Sequence, residues 1–232
     1  MSIYQRDFEI TEKSDHSPLT EADLAAHNLI CEQLAKLTPE LPILSEESAD
    51  IDWTTRKSWH RYWLVDPLDG TKEFIKKNGE FTVNIALIEN HAPTLSVVYA
   101  PVLKKLYAAD INSGCWLTTD DGTTSELKVK APAAGAKLRI VGSRSHPSPD
   151  TAEYLKRYDN YEMVSVGSSL KFCLVAEGLA DIYPRLGPTM EWDTGAGECI
   201  AEAAGATVTD MDGVAFRYNT KDSLLNGYFV VG

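Results

Sequence analysis

Apolar and polar positions alternate most clearly at Phe81, Val83, Ile85 and Leu87, the two-residue period of a strand with one buried face. Short apolar stretches at 94–99, 105–109 and 114–117 follow at hairpin-length separations, so 81–117 predicts an antiparallel meander. Upstream, Leu24, Ala25, Leu29, Leu34 and Leu37 recur at near-helical spacing, with a lapse at His27 and Asn28, which predicts an amphipathic helix over 21–37. Thr20 suits its N-cap, and Asp23 at the third helical position replaces the usual Glu of a capping box. Pro39 ends the helix. Residues 1–14 predict a polar, extended lead-in and 17–20 a turn. A short strand at 42–45 delivers Glu46 and Glu47, and a charged, Trp-containing loop leads to a strand at 62–65 and a short helix at 72–77.

The pattern changes after a polar, then Ala/Pro/Gly-rich stretch at 118–136. Strands are predicted at 138–143, 161–166, 180–183, 207–209 and 228–231, and helices at 148–158, 168–178 and 193–204, with a loop at 184–191. Strands alternating with helices imply an α/β arrangement. The expected organisation is therefore two-lobed, α+β then α/β: 1–135 carries the meander, 136–232 the alternating elements, and a cleft lies between.

The candidate chemistry sits at Asp66-Pro67-Leu68-Asp69-Gly70-Thr71. Pro67 cannot donate to a ladder and should stop the preceding strand, leaving both carboxylates and the Leu68 carbonyl on an irregular turn. Two carboxylates and a carbonyl form an all-oxygen set of the kind Mg²⁺ accepts, and Gly70-Thr71 can offer amides to a phosphate. Glu46 and Asp193 also fall where strands end or helices begin. Singly, each has an ordinary explanation: Asp193 as a helix cap, Glu46-Glu47 as a solvated pair, Asp66 and Asp69 as turn formers.

Bulk properties narrow the classes. At 232 residues the chain can bury a substantial core. Its 22 basic and 34 acidic residues give −12, which argues against general affinity for nucleic acid or anionic membrane. Cys31, Cys115, Cys173 and Cys199 have no C-x-x-C spacing and predict reduced thiols in a cytosolic protein. The first residues hold no apolar leader segment, and no apolar run approaches the roughly 20 residues of a membrane span.

Two segments, Asp66-Pro67-Leu68-Asp69-Gly70-Thr71 and Trp192-Asp193-x-x-x-Gly197, resemble the signatures of the inositol-monophosphatase-like, lithium-sensitive, Mg²⁺-dependent phosphatases. Thr20-Glu21-Ala22-Asp23 and Ser45-Glu46-Glu47 match that family's other motifs in order. Asp69-Gly70-Thr71-Lys72-Glu73-Phe74, the segment 78–86, and Gly167-Ser168-Ser169-Leu170-Lys171-Phe172-Cys173 resemble its CysQ-type 3'(2'),5'-bisphosphate nucleotidases. The resemblance implies a layered αβαβα sandwich of the inositol-monophosphatase and sugar-phosphatase kind. It implies one Mg²⁺ on Glu46, Asp66 and the Leu68 carbonyl, and a second on Asp66, Asp69 and Asp193, with Glu46 near a third, loosely bound ion. Thr71 and Asp23 would orient the attacking water, and the Gly70 and Thr71 amides would hold the phosphate. Substrate would further meet Glu46, Leu68, Asp69 and Asp193. The amides and hydroxyls of Gly167-Ser168-Ser169, and Lys171, with Arg185 and Lys72 as further candidates, would meet the remaining phosphate or sugar of a nucleotide. A capping serine and a surface lysine are the plain alternatives. His27, one turn after Asp23, is read as structural.

The activity so implied is removal of the 3'-phosphate of adenosine 3',5'-bisphosphate, with the sulfated nucleotide as a further substrate, Li⁺ inhibition and a place in sulfur metabolism. Some relatives associate peripherally with the inner membrane. An inositol or sugar monophosphate phosphatase, and a catalytically silent metal- or phosphate-binding protein, are the alternatives. The resemblance also implies an amphipathic helix ahead of residues 13–15 that this sequence does not contain, so apolar surface on the first lobe is expected to be uncovered.

Overall fold

The computed structural model describes residues 1–12, 18–133, 135–144 and 148–232, and the counts below refer to those residues. Their centre is a seven-stranded sheet ordered β3(Ile43–Ser45), β4(Arg61–Asp69), β5(Thr82–Glu89), β6(Ala92–Ala100), β7(Lys105–Asp110), β8(Gly114–Thr118), β9(Thr124–Leu127). The β3–β4 pair is parallel and the rest antiparallel. Preceding the sheet, β1(Ile10–Glu12) pairs with β2(Pro18–Thr20), which feeds α1(Glu21–Leu37). The expected turn at 17–20 is thus a strand from Pro18 onward, because Pro18 begins an edge strand where its missing N–H costs nothing; Ser17 lies outside the described residues, as do 13–15. A short α2(Trp53–Arg56) crosses the predicted loop, and β9 occupies part of the predicted seam. Both are too brief to leave a periodic signal.

Alternation along β4 assigns the two faces of the sheet. Tyr62 and Leu64 join the core under α6(Glu191–Ala203), while Trp63 points the other way and donates from Nε1 to Thr38 at the end of α1. Behind α6 lies α5(Leu170–Ala176), which packs on Val141 of β10(Leu138–Ser143); the preceding residue of that strand, Ile140, faces Tyr154 and Leu155 of α4(Pro149–Leu155) instead. The sequence of layers is therefore α1, large sheet, α6 with α5, second sheet, α4: the expected αβαβα sandwich. In the second half, β10 pairs in parallel with β11(Tyr161–Val166), and β14(Phe229–Val231) pairs with β12(Tyr183–Arg185) and β13(Val208–Asp210). The strand expected at 180–183 begins later and takes Pro184 and Arg185 from the predicted loop; Ala180 and Asp181 turn out of α5 first.

Two features differ from the simple pattern. Leu24, Leu29 and Leu37 of α1 are exposed, and the helix buries Asp23 and Leu34 instead. α6, although encoded in the second half, forms the main cover of the first-half sheet. Its start is pinned by a buried latch. The Glu191 carboxylate accepts the Asn219 N–H at 2.9 Å to each oxygen, and Arg56 donates to Asn219 Oδ1 at 2.7 Å and to the Asp222 carbonyl. In return Asn219 Nδ2 donates to the Arg56 carbonyl at 2.6 Å. Burying a guanidinium is tolerable only with acceptors of this kind around it.

Candidate active site

β4 does not stop at Pro67. The strand continues to Asp69 through a bulge, with Asp66 opposite Asn84 and Asp69 opposite Thr82, so that Pro67 and Leu68 together oppose Val83. A bulge is where a proline forfeits no ladder bond, so the irregularity needed to free the Leu68 carbonyl is built into the strand rather than following it. The Leu68 side chain anchors the bulge among Phe74 and Phe81, and its N–H donates to Asp66 Oδ1 at 3.0 Å. Gly70 then takes φ 93°, the left-handed region open to glycine, and turns the chain into α3(Thr71–Ile75).

Three carboxylates converge here: ligand oxygens of Asp66, Asp69 and Asp193 all lie within 4.8 Å of one another. Asp193 arrives from the first turn of α6, where Oδ2 also accepts the Met190 N–H at 2.7 Å. Glu46, on a single 3-10 turn after β3, lines the same cavity outside that close set. Burial first, then the charges of Glu46, Asp69 and Asp193, push the Asp66 carboxyl well above its usual range. Asp193 is pushed up to about 8 by burial and then by Asp69. Carboxylates gathered so closely are at odds with one another, and a divalent cation among them reverses the sign of the local field. The donors are all oxygen and the group fits a hard cation.

Asp23 is buried and fully directed. Its Oδ2 accepts from the Thr20 N–H at 2.8 Å and the Thr20 hydroxyl at 2.6 Å, while Oδ1 takes the Thr71 hydroxyl at 3.3 Å. The capping box expected at the start of α1 therefore also aims a carboxylate at Thr71, whose hydroxyl lies 3.5 Å from the Leu68 carbonyl oxygen.

A cavity of about 720 Å³ joins these groups to the second half of the chain. Glu46, Asp66, Leu68, Asp69, Gly70, Thr71 and Asp193 line it, as do Lys72, Ser168, Lys171 and Arg185. The Lys171 ammonium is buried, donates to the Ser168 carbonyl and lies 5.6 Å from the centre of the Tyr183 ring; burial lowers its pKa to about 8 against the opposing pull of Asp69. It is no surface lysine. Arg185 Nη2 donates to the Pro188 carbonyl at 2.7 Å, and its buried Nε has no hydrogen-bond partner. The Ser168 hydroxyl is likewise buried without one. The turn at 167–169 precedes α5 rather than opening it, and Ser169 faces inward: its N–H and hydroxyl both donate to Asp69 Oδ2 at 2.6 Å. His27 Nδ1 sits 2.9 Å from the Ser45 hydroxyl.

Thr82 and Asn84 are the residues that sequence reasoning left without a part, and Ser169, expected to meet substrate or cap a helix, turns to Asp69 instead. Asn84 Nδ2 donates to Ser169 Oγ at 2.7 Å and lies 3.3 Å from Asp69 Oδ2, and Thr82 Oγ1 is 3.5 Å from the same oxygen. A signal existed: residues 82 and 84 share the strand phase of buried Ala86 and Ile88 yet are polar. Polar side chains on a core-facing phase ask for partners.

The layered fold and a carboxylate-floored cavity define a class of metal-dependent phosphatases, and the chain belongs to the inositol monophosphatase family, whose model matches residues 1–228. It is 51% identical over 233 residues to the 3'(2'),5'-bisphosphate nucleotidase CysQ of Salmonella typhimurium, covering 100% of this chain and 92% of that protein. The crystal structure of CysQ from Bacteroides thetaiotaomicron matches with a TM-score of 0.84 and 44% identity, over 99% of this chain and 90% of the other. An inositol monophosphatase from Thermotoga maritima shares the fold at TM-score 0.80 and 24% identity, over 99% and 84% of the two chains.

Proposed function

We propose that this chain is a 3'(2'),5'-bisphosphate nucleotidase that hydrolyses the 3'-phosphate of adenosine 3',5'-bisphosphate to AMP and phosphate, and acts likewise on the sulfated nucleotide. The observation that carries the reading is the meeting of Asp66, Asp69 and Asp193 in a cavity that also holds the cationic side chains of Lys171 and Arg185. The name of the Salmonella typhimurium relative supports the same substrate class. Mg²⁺ is the cation proposed: Glu46, Asp66 and the Leu68 carbonyl would hold one ion, Asp66, Asp69 and Asp193 a second, and Glu46 would assist a third. Bound there, the ions supply a water of lowered pKa and countercharge for the leaving oxygen.

The remaining work falls to side chains. Thr71 accepts a hydrogen bond from the attacking water while donating to Asp23 Oδ1, so the proton released on attack has a carboxylate relay. Water oxygen bonds to phosphorus as the bond to the 3'-oxygen breaks, and solvent returns a proton to that oxygen. Amides of Gly70 and Thr71 hold the phosphate undergoing attack. Lys171, Arg185 and the Ser168 hydroxyl meet the phosphate that stays behind, which an inositol monophosphate lacks. A cavity of about 720 Å³ accommodates a nucleotide. Inhibition by Li⁺, a role in sulfur metabolism and a cytoplasmic location complete the proposal. Among the described residues no helix is long and apolar enough to cross a membrane.

Phosphate release from adenosine 3',5'-bisphosphate and from inositol 1-phosphate, with Mg²⁺ titrated and Li⁺ added, tests the reading. Faster release from the bisphosphate, absent without Mg²⁺, is expected; faster release from inositol 1-phosphate would sink the nucleotidase assignment.

A further inference from the structure

Glu80 precedes β5 and contacts Gly70 in the first half of the chain and Arg144 and Gly167 in the second. Its Oε2 accepts the Gly167 N–H at 2.8 Å and Arg144 Nε at 2.7 Å, and Oε1 accepts Arg144 Nη2 at 2.8 Å. Arg144 follows β10 and also donates to the Ser165 carbonyl of β11 at 2.6 Å, so the carboxylate closes on the point where both strands end. The backbone of the same residue is equally close. Its carbonyl oxygen lies 2.8 Å from where a Cβ would stand on Gly167, and 3.2 Å from the corresponding point on Gly70. The next residue, Phe81, is buried in a cluster with Phe74, ring centres 4.9 Å apart, which fixes Glu80 from behind.

The turn that Glu80 holds is under strain. Ser168 has φ 48°, a conformation disfavoured for a residue with a side chain, and it persists only where neighbours enforce it. On the far side of that residue, Ser169 delivers its N–H and hydroxyl to Asp69 Oδ2. The turn is thus clamped at Gly167 by one carboxylate and at Ser169 by another, with the strained residue between them.

We propose that Glu80 is a positioning residue for the cation site. By taking the Gly167 N–H it keeps Ser168 in the left-handed conformation that aims Ser169 at Asp69, and so fixes the orientation in which Asp69 meets a cation. The proposal rests on the reading above that Asp69 is a cation ligand. It needs no contact between Glu80 and cation or substrate, and its effect should therefore show in cation affinity rather than in the chemical step.

The test is calorimetric titration of Mg²⁺ into the purified protein, with melting temperature and phosphate release measured in parallel, for Glu80→Ala, Glu80→Gln and the unsubstituted chain. Loss of the acceptor in Glu80→Ala is expected to weaken Mg²⁺ binding about tenfold, the scale of one charge-assisted hydrogen bond. The Mg²⁺ concentration for half-maximal release should rise by a similar factor, while kcat at saturating Mg²⁺ is largely kept. Glu80→Gln retains an oxygen for the Gly167 N–H and should stay within about threefold of the unsubstituted chain. Unchanged Mg²⁺ affinity in Glu80→Ala overturns the proposal, and so does an equal loss in Glu80→Gln. If Glu80→Ala does not fold, Glu80→Asp, one methylene too short to serve Gly167 and Arg144 together, takes its place with the same expected loss, and unchanged affinity there overturns the proposal. An unsubstituted chain that binds Mg²⁺ but leaves the bisphosphate intact defeats the nucleotidase reading alone; one that binds no Mg²⁺ defeats both.

Discussion

Asp66 shows how a single residue would trade stability for the proposed chemistry. Burial and then three acidic neighbours press its carboxyl upward in pKa, so holding it charged with no cation beside it opposes folding. Asp66→Asn keeps the shape and removes the charge. It is expected to lower phosphate release by about a hundredfold to a thousandfold, the order of loss on removing a main electrostatic element. At the same time it should raise the melting temperature measured in EDTA and abolish most of the further rise that Mg²⁺ gives the unsubstituted chain. Scanning calorimetry with EDTA and with Mg²⁺, beside a phosphate assay, checks all three. An asparagine variant less stable in EDTA than its parent would mean that the carboxylates do not repel as described. The acidic residues themselves were legible, because Asp-Pro-x-Asp-Gly-Thr combines turn formers and oxygen donors in six positions. The contact of Ser169 with Asp69 was not, since a serine before a helix reads as a cap or a substrate contact and nothing local announces a carboxylate one hundred residues away.

At the level of elements, boundaries followed periodicity in some places, while the helices expected at 148–158 and 168–178 are shorter at both ends. α1 and β10 fall where the pattern places them, and the meander strands differ by a residue or two. Short pieces escaped: β9, α2 and the start of β12 owe their form to partners rather than to their own residues. The bulge in β4 is the instructive case, because proline was read as a terminator and proves to be a tolerated member of an irregular strand. The glycine of Trp192-Asp193-x-x-x-Gly197 also gains a reason. A Cβ at Gly197 would lie 2.4 Å from Phe172 Cδ2, and Phe172 is itself packed against Tyr183 and Phe229 at ring separations of 5.2 and 5.7 Å. Gly197 is what lets α5 and α6 approach. Gly197→Ala is expected to destabilise by about 1–3 kcal/mol, the cost of overpacking a filled core, despite alanine's better helix propensity. Urea unfolding measures this directly, and an alanine variant of equal or greater stability would show that the helix pair can spread freely.

The whole molecule carries a pH dependence from a carboxyl outside the cavity. Glu198 is buried, accepts the Tyr218 hydroxyl at 2.5 Å and is pushed up to about 8, burial being the first cause. In the unfolded chain it titrates near 4.5, so between those values the folded state holds a proton that the unfolded state has lost. Its contribution is therefore complete below the lower value and disappears as pH rises through the upper one, with a slope of at most about 1.4 kcal/mol per pH unit. Glu198→Gln, which still accepts from Tyr218, is expected to flatten the fall in melting temperature between about pH 5 and about pH 8. An unchanged profile would place the titration elsewhere. None of this was visible in the sequence, where Glu198 is one polar residue on a helix and Tyr218 lies in an irregular tail.

The cover that α6 gives to the large sheet also sets an order of events during synthesis. Glu46, Asp66 and Asp69 leave the ribosome early, together with most of the strands they sit on, whereas Asp193 follows about 125 residues later on the helix that closes the core. If the sheet forms as it emerges, the docking of α6 that buries its apolar face is the same movement that brings in the last carboxylate. Hydrophobic closure and the crowding of like charge are concurrent. The step that completes the core is also the one at which the proposed cation would first have something to gain by binding.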